Sequence, residues 1–421
     1  MKKFVFLFSM LFVASFAIAQ NTGTVSQTGD ENTGVIDQTG DLNEATITTT
    51  GNLNKNDVQK WRNWPSGLSG YMLAKGITQN GEGNTGSILQ NRHRSDAGMA
   101  QIGDGNTAEI TQNDPTNHSW GAENHAFVDQ VGNLNSSIQN QQGRANSSYF
   151  RQIGNSNVAE SQQFDLYTSY TISEQIGNEN KSYQFQEFGN WEGRNYATIF
   201  QDGDENDASQ SQHGKSNSSD VTQSGSKNIA SIEERGDGNT ANVYQSGTSN
   251  KVFGGNDWLE YANGQLIEHV PEDKGIYQDG NDNTANISQT ATLLVYGHQA
   301  AIRQLGDGNN ADITQTGPGF NAAYARQDGD LNEGTFTQDG KFNRAHLYQA
   351  GNSNEAIFAQ SGEGTGETPN EAEIFQSGDL NIGSITQTGL NNFGSISSIG
   401  NGHYGSITQT GGMNQALITQ N

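Results

Sequence analysis

The feature that most constrains this chain is an eleven-residue period, clearest between Gln327 and Gln349. Gln327, Gln338 and Gln349 are eleven residues apart, and the same residue types recur between them. With the first Gln as position 0, the unit has Gly at 2, Asn at 5, Ala or Gly at 7, an apolar residue at 9 and Gln again at 11. A period that runs along the whole chain predicts one repeat array. Other clear copies are 27–38, 79–90, 101–112, 152–163, 234–245, 278–289, 304–315, 376–387 and 409–420.

The spacing within the unit predicts a β-strand. Positions 5, 7, 9 and 11 have one parity, so their side chains point to one face of a strand. Positions 8 and 10 point to the other face and are polar, as at Glu109, Thr111 and Ser288. Gly at position 2 and Asn at position 5 suit a tight corner. Each unit is therefore a corner and a strand, and two units make one flat coil of about twenty-two residues. The sequence predicts an all-β, flat, two-sheeted β-solenoid of either hand.

A single unit is too small to fold alone. Ordering eleven residues costs about 10–20 kcal/mol, whereas burying one Ile returns about 2–3 kcal/mol. Stacked coils, with every strand hydrogen-bonded above and below, offset that cost. Stacking places Gln over Gln and Asn over Asn, as in cross-β amide ladders. Roughly fifteen coils give a rod on the order of 70 Å long. The expected ladder residues of the regular C-terminal half are Gln304, Asn309, Gln315, Gln327, Asn332, Gln338, Asn343, Gln349, Asn354, Gln376, Asn381 and Gln387, with corner glycines Gly306, Gly329, Gly340, Gly351, Gly378 and Gly389.

The Gln-x-Gly-x-x-Asn core with a small residue two positions later, as in Gln327 to Gly334, resembles the curlin repeat of the curli subunits. These are bacterial functional-amyloid proteins. The resemblance spans essentially the whole array and implies a secreted structural subunit of a cell-surface fibre for adhesion and biofilm matrix. The implied partners are other copies of this chain, related curlin-type subunits, secretion and nucleation accessory proteins, and surface polysaccharide. The chain differs from the family pattern in its many repeats, its long inserts and the lack of a Gly-rich leader.

The first nineteen residues have the pattern of a secretory signal peptide. Lys2 and Lys3 are followed by an apolar stretch, Phe4 to Phe16, and by a small-x-small cleavage site at Ala17 to Ala19. We therefore expect a secreted chain, 20–421, without a membrane span. Since the sequence has no Cys, this exported protein is expected to be stable without disulfides.

Interruptions of the period predict loops. Inserts are expected near 60–76, 113–126, 187–198, 256–275, 290–300 and 363–371, with one-residue slips at 163–175 and 315–327. Proline cannot donate to a strand ladder, and every Pro lies in one of these irregular intervals. The Trp residues also lie there, as candidate adhesive loop aromatics or as loops packed on themselves: Trp61, Trp64, Trp120, Trp191 and Trp258.

The formal net charge of −25 disfavours nucleic acid as a partner, because an acidic chain repels phosphates. Most acids lie at corners, as at Asp307 and Asp330. They are interpreted as a solvated surface, as gatekeepers that slow assembly, or as weak Ca²⁺ sites.

No motif indicates an enzyme or a cofactor. The nearest His pair, His118 and His125, has no carboxylate or Cys at ligand spacing. The alternative function is a monomeric solenoid that binds ice or glycans through a flat face or its aromatic loops. This alternative is suggested by the Thr-x-Thr steps at 314–316, 386–388 and 408–410.

The two ends of the array are in phase with the period. Asn21, Val25 and Gln27 occupy positions 5, 9 and 11, and Ala416, Ile418 and Gln420 occupy positions 7, 9 and 11. Exposed strand edges at both ends predict head-to-tail stacking of copies.

Numbering the units from Gln27 predicts two different edges of the rod. All inserts fall in odd-numbered units if 245–278 holds two units, the first of them Gln245 to Asn256. On that interpretation one edge is smooth and rich in Asp and Asn, and the other edge carries every aromatic loop.

Overall fold

The computed structural model describes residues 20–54, 76–91, 94–113, 123–164, 168–187, 194–252, 261–262, 265–266, 275–292, 297–365 and 368–421. The expected signal peptide and all five Trp lie outside these residues. The described part is built from strands, corners and turns and contains no helix.

Two parallel sheets form the rod, and the chain alternates between them. The larger sheet consists of β1 (Thr22–Thr28), β3 (Glu44–Thr50), β5 (Thr85–Asn91), β7 (Thr107–Asn113), β9 (Ser136–Gln142), β11 (Val158–Gln163), β13 (Lys181–Glu187), β15 (Asp207–His213), β17 (Ile229–Arg235), β19 (Lys251–Val252), β22 (Ile276–Asp279), β24 (Gln299–Leu305), β26 (Ala322–Asp328), β28 (Asn343–Ala350), β30 (Asn370–Ser377), β32 (Phe393–Ile399) and β34 (Gln415–Gln420).

The smaller sheet consists of β2 (Ile36–Thr39), β4 (Ile77–Asn80), β6 (Asp96–Ile102), β8 (His125–Val131), β10 (Ser147–Ile153), β12 (Tyr170–Ile176), β14 (Tyr196–Asp202), β16 (Ser218–Ser226), β18 (Thr240–Thr248), β23 (Thr284–Ala291), β25 (Asn310–Gly319), β27 (Glu333–Lys341), β29 (Glu355–Glu363), β31 (Ile382–Leu390) and β33 (Tyr404–Gly412). A separate two-stranded antiparallel pair joins β20 (Tyr261–Ala262) and β21 (Gln265–Leu266).

The strand register is that of the eleven-residue unit, taken two at a time. Gln327 in β26 pairs with Gln349 in β28, and Gln315 in β25 pairs with Gln338 in β27. Ile313 and Gln315 are 1% and 0% exposed, so both point inward. The predicted all-β, two-sheeted solenoid is therefore confirmed.

Each sheet contributes a single layer of side chains to the interior. A Cβ on Gly86, at position 7, would contact Met99 and Ile77 of the opposite sheet. The small residue of one strand thus faces the large residue of the other, and the two sheets pack closely. Where two aromatic residues follow each other in a stack, as Phe336 and Phe358 do, the rings lie parallel with centroids 4.6 Å apart.

The corners depend on left-handed backbone at two positions, of which the sequence pattern indicated one. Gly329, at position 2, has φ 118°, and a Cβ there would collide with the carbonyl oxygen of Gly351 in the next coil. Position 4 is also left-handed, yet it holds side chains such as Leu331 (φ 57°) and Leu380 (φ 61°). A non-Gly residue in this region costs about 1–2 kcal/mol, so the stacked hydrogen bonds of the corner must offset that strain.

Pro318 lies where a strand register breaks. The pairing of β25 with β27 shifts between Thr316 and Gly319. This bulge corresponds to the one-residue slip in 315–327, and it removes the need for an N–H at the proline.

We name the two edges of the rod by the direction of the chain. At edge 1 the chain passes from the larger sheet to the smaller one, and at edge 2 it returns. The described chain is interrupted at edge 1 after residues 54, 91, 113, 164 and 187, and at edge 2 after residues 292 and 365.

The prediction that a single edge carries every insert is wrong. Val252 and Ile276 pair with Ala230 and Ile232 of one strand. Segment 245–278 is therefore one unit interrupted inside its strand, not two units, and the odd numbering fails after it. The described chain is interrupted at edge 1 in the N-terminal half, and at edge 2 or just after it in the C-terminal half.

We predict that Gly329→Ala lowers stability by about 2–4 kcal/mol, because the methyl group meets backbone that has no room to move. Gly402→Ala is the matched control: its φ is 71°, but a Cβ there has open space around it. The Gly402→Ala variant should lose only about 1 kcal/mol of stability. Urea unfolding of the monomer, followed by circular dichroism, compares the two. Equal losses would show that the close approach of the coils does not matter.

Candidate functional site

A column of Gln side chains runs through the smaller sheet without a break from Gln38 to Gln409. Each Nε2 donates to the Oε1 of the Gln in the following coil, as Gln315 does to Gln338 at 2.8 Å. The same Nε2 also donates to a backbone carbonyl of the opposite sheet, from Gln315 to Gln299 at 2.9 Å. Both amide hydrogens are therefore used, and the column has a direction, toward the C-terminus.

The Asn side chains at position 5 form a second ladder with the opposite direction. Asn332 donates to Oδ1 of Asn309 in the preceding coil, through its backbone N at 3.0 Å and through Nδ2 at 3.1 Å. Nδ2 of Asn332 also donates to the carbonyl of Gly351 at 2.8 Å. The amide thus fastens one corner to the coils on both sides.

The structure brings the predicted ladder residues together in these columns, each at most 1% exposed: Gln304, Asn309, Gln315, Gln327, Asn332, Gln338, Asn343, Gln349, Asn354, Gln376, Asn381 and Gln387. The predicted corner glycines all have positive φ: Gly306, Gly329, Gly340, Gly351, Gly378 and Gly389.

Corner acids take part in a third ladder, which the sequence analysis missed. The backbone N–H of Asp307 donates to Oδ1 of Asp330, whose own N–H donates to Oδ1 of Asn352, each at 2.9 Å. Preference for Asp or Asn at position 3, rather than for any polar residue, was the available signal. Among the described residues no group of three or more His, Asp or Glu side chains is arranged to hold a metal ion.

This corner ladder changes edge in the middle of the chain. From Glu82 to Asp204 it follows edge 2. From Lys215 to Asn401 it follows edge 1. One further bond of this kind, from the N–H of Asp30 to Oδ1 of Asn52 at 2.7 Å, lies on edge 1. From Glu82 onward, the ladder lies on the edge opposite the longer interruptions of the period.

Glu234 occupies a Gln position in the larger sheet. Gln212 Nε2 donates to its Oε2 at 2.7 Å, and its strand partner in the following coil is Gln278. Glu234 Oε1 and Gln278 Oε1 are both buried without a hydrogen-bond partner. Two acceptors thus meet at this level of the column. Burial raises the pKa of Glu234 to about 8, and the protonated acid can donate to Gln278 as a Gln would.

Open strand edges lie at both ends of the described array. Strand β1 pairs only with β3 and β34 only with β32, within the described residues. All of β1 is exposed, from Thr22 through Val25 and Gln27 to Thr28. At the other end Ala416 and Ile418 pack against the core while Leu417 is 71% exposed.

The ends have complementary hydrogen-bonding groups. Gln409 and Gln420 each donate one Nε2 hydrogen to a backbone carbonyl, and the direction of the column leaves the other hydrogen facing outward. At the N-terminal end, Gln38 stands first in the column of the smaller sheet and donates to Gln79, so its Oε1 faces the open edge. Gln27 stands first in the larger sheet, where its strand partner in the following coil is Thr49. The C-terminal end is thus a donor face for Gln, and the N-terminal end an acceptor face.

The Thr-x-Thr steps form only a short regular array. Thr386 and Thr388 pair with Thr408 and Thr410, but the preceding coil has Ala359 and Ser361 at these positions. Near 314–316, the hydroxyl of Thr316 donates to Asp339 at 3.0 Å. An extended lattice of free hydroxyl groups, as a flat ice-binding face needs, is therefore not formed by these steps.

The fold and the ladders define the class: a β-solenoid repeat protein whose coils are joined through buried amide side chains. The family model described as the curlin associated repeat matches residues 20–54, 194–225, 236–290 and 370–400. The chain therefore contains curlin associated repeats in these four regions. No curated protein matches it. Among the described residues there is no helix long and apolar enough to cross a membrane.

We predict that Glu234 makes stability depend on pH. Above pH 4.5 the unfolded state has released the proton that the native state retains up to about pH 8. The free energy of unfolding therefore falls as pH rises from about 4.5 to about 8, on the order of 5 kcal/mol in all. Glu234→Gln should abolish this part of the dependence and raise stability at pH 9.

The measurement is urea unfolding at pH 5 and pH 9, compared as variant minus wild type. Glu333→Gln, at an exposed position, controls for loss of one negative charge. If both variants change the pH dependence equally, net charge and not the ladder is responsible.

Proposed function

We propose that this chain is a secreted structural subunit of a curli-like amyloid fibre, and that copies of it add head to tail. Curlin repeats and the solenoid fold support a structural role of this kind. The interior polar side chains support it too, since the Gln and Asn amides serve hydrogen bonding between coils. We infer no enzymatic activity.

The observation that carries the proposal is the polarity of the amide columns at the open edges. A C-terminal end that offers Gln donors fits an N-terminal end that offers Gln acceptors. The Asn columns run the other way, so Oδ1 of Asn414 is left to accept at the C-terminal end, and the backbone N–H groups of Asn21 and Asn32, which stand first in their columns, are left to donate at the N-terminal end. Two like ends would bring donors against donors. Addition in one direction is the arrangement that continues every column.

The backbone edges fit in the same way. Glu371 and Phe393, each at position 6, donate their N–H to the Asn carbonyl of the following coil, at 2.8 Å. Donors of a parallel strand alternate between its two sides. The N–H groups of Gln415, Leu417 and Thr419 therefore face the open edge of β34. Each such bond to an added strand is worth about 0.5–1.5 kcal/mol.

We also propose that the fibre lies at the cell surface and serves adhesion and biofilm matrix. The proposed partners are related curlin-type subunits, secretion and nucleation accessory proteins and surface polysaccharide. The signal-peptide pattern at residues 1–19 supports export. The inserts would bring recognition to a rigid scaffold, and Trp61, Trp64, Trp120, Trp191 and Trp258 are the proposed adhesive residues.

Seeded growth of the chain from Gln20 onward, followed by dye fluorescence and electron microscopy, tests the head-to-tail part. Leu417→Pro removes an N–H that faces only the open edge, and elongation should slow at least tenfold. Deleting Ala416 to Asn421 should act at least as strongly. Ile418→Pro should also slow growth, but by removing a donor to β32.

Leu417→Ser is the matched control, because it keeps the backbone N–H and removes only an exposed side chain. It should grow at the wild-type rate. The circular dichroism of each monomer establishes that the solenoid has folded. Wild-type growth of both the deletion variant and Leu417→Pro would contradict the proposal.

A further inference from the structure

The two sheets do not contain the same number of levels. Strands β19 and β22 both pair with β17 and with β24, so they are two parts of one level. Within the described residues, the larger sheet of 17 strands therefore has 16 levels, whereas the smaller sheet has 15. Strands β1 and β34 both lie in the larger sheet, and the described array contains an odd number of levels in all.

Because the number of strand levels is odd, two copies stacked in the same orientation cannot continue both sheets across the junction. The chain alternates between the sheets, so strands of one sheet sit half a level from those of the other. If β1 of a second copy followed β34 at the usual 4.8 Å, β33 and the second β2 would be two levels apart. One strand would be missing there. If instead β2 followed β33, then β34 and the second β1 would occupy the same place.

A half-turn about the rod axis removes the mismatch. We propose that each added copy is rotated by 180°, so that its larger sheet continues the smaller sheet of the copy before it. Strand β1 of the new copy then pairs with β33, and β2 pairs with β34. This inference rests on the proposed head-to-tail assembly and specifies the partner surface: a second copy of this chain, in one orientation.

The side chains at such a junction are in phase. At position 11, Gln420 meets Gln38 of the added copy as donor to acceptor, and Gln409 meets Gln27. At position 9, Ile418 meets Ile36 and Ile407 meets Val25. At positions 7, 9 and 11 each residue meets one of its own kind or size, because the eleven-residue unit is the same in both sheets. At position 5, Asn414 meets Asn32, and His403, which takes the place of Asn in its column, meets Asn21. The junction has the same composition as the interior of the rod.

Engineered cysteines test the orientation, since the chain has no Cys of its own. Position 10 is exposed and points outward at Ser26, Asp37, Thr408 and Thr419. Single variants are mixed in pairs, assembled and oxidised, and the dimers are resolved on non-reducing gels. Adjacent parallel strands hold their Cα atoms within disulfide range, and the intrachain pair T386C/T408C, which are strand partners, calibrates the yield.

The expected result is efficient cross-linking of T419C with D37C and of T408C with S26C, with none between T419C and S26C. Fibres in which T419C joins S26C would overturn the half-turn and leave head-to-tail growth intact. Fibres in which T419C joins itself would overturn the polarity. Fibres with no cross-link in any mixture would overturn the junction as drawn. If no variant and no wild-type sample forms fibres, the proposed function fails and this inference fails with it.

Discussion

The hydrogen bond from one side-chain amide to the same amide one coil away is the interaction on which the structure depends. A carboxamide has two donors and an acceptor, so it can bond to the coil above, the coil below and the backbone across the interior at the same time. The buried Gln and Asn columns do this, and so a chain with only 31% hydrophobic residues has an ordered interior. An unpaired buried amide would cost about 1–3 kcal/mol, which makes each level dependent on its neighbours.

The same dependence explains how much the sequence predicted. Parity of side chains within the unit identified the inward face, the strands and the two sheets, because only one register buries every Gln, Asn and Ile. It also located the glycines at position 2. It did not identify the left-handed backbone at position 4, since Leu331 and Leu380 are poor candidates for that conformation. It also missed the corner ladder of Asp and Asn, whose carboxylates were interpreted as solvent-exposed charge.

The interrupted unit shows where periodicity ceases to be informative. Gln245, Asn250 and Val252 fit the pattern whether the next strand begins there or the same strand resumes at Ile276. Only the pairing partners distinguish the two, and these lie in another coil. Counting along the chain gave the wrong unit number, and every assignment of an edge after residue 245 changed with it. Glu234 presents a different difficulty. Its position in the repeat is clear from the sequence, but its buried contact with a second acceptor, Gln278, can be recognised only once the neighbouring strand is known.

The exchange of edges in the middle of the chain has a consequence for the appearance of a long fibre. Rotating each added copy by half a turn carries its edge 1 to the side of the previous copy's edge 2. In the proposed fibre, the interruptions of one copy's C-terminal half and of the next copy's N-terminal half would then lie on the same flank. The flank changes inside each subunit and stays the same across each joint. Such a fibre is neither uniform nor one-sided. It would be banded, with interruptions of the period and uninterrupted corners alternating on each flank over two subunit lengths. Two such fibres lying side by side in the same orientation would place interruptions against uninterrupted corners, and a shift by one subunit would place interruptions against interruptions.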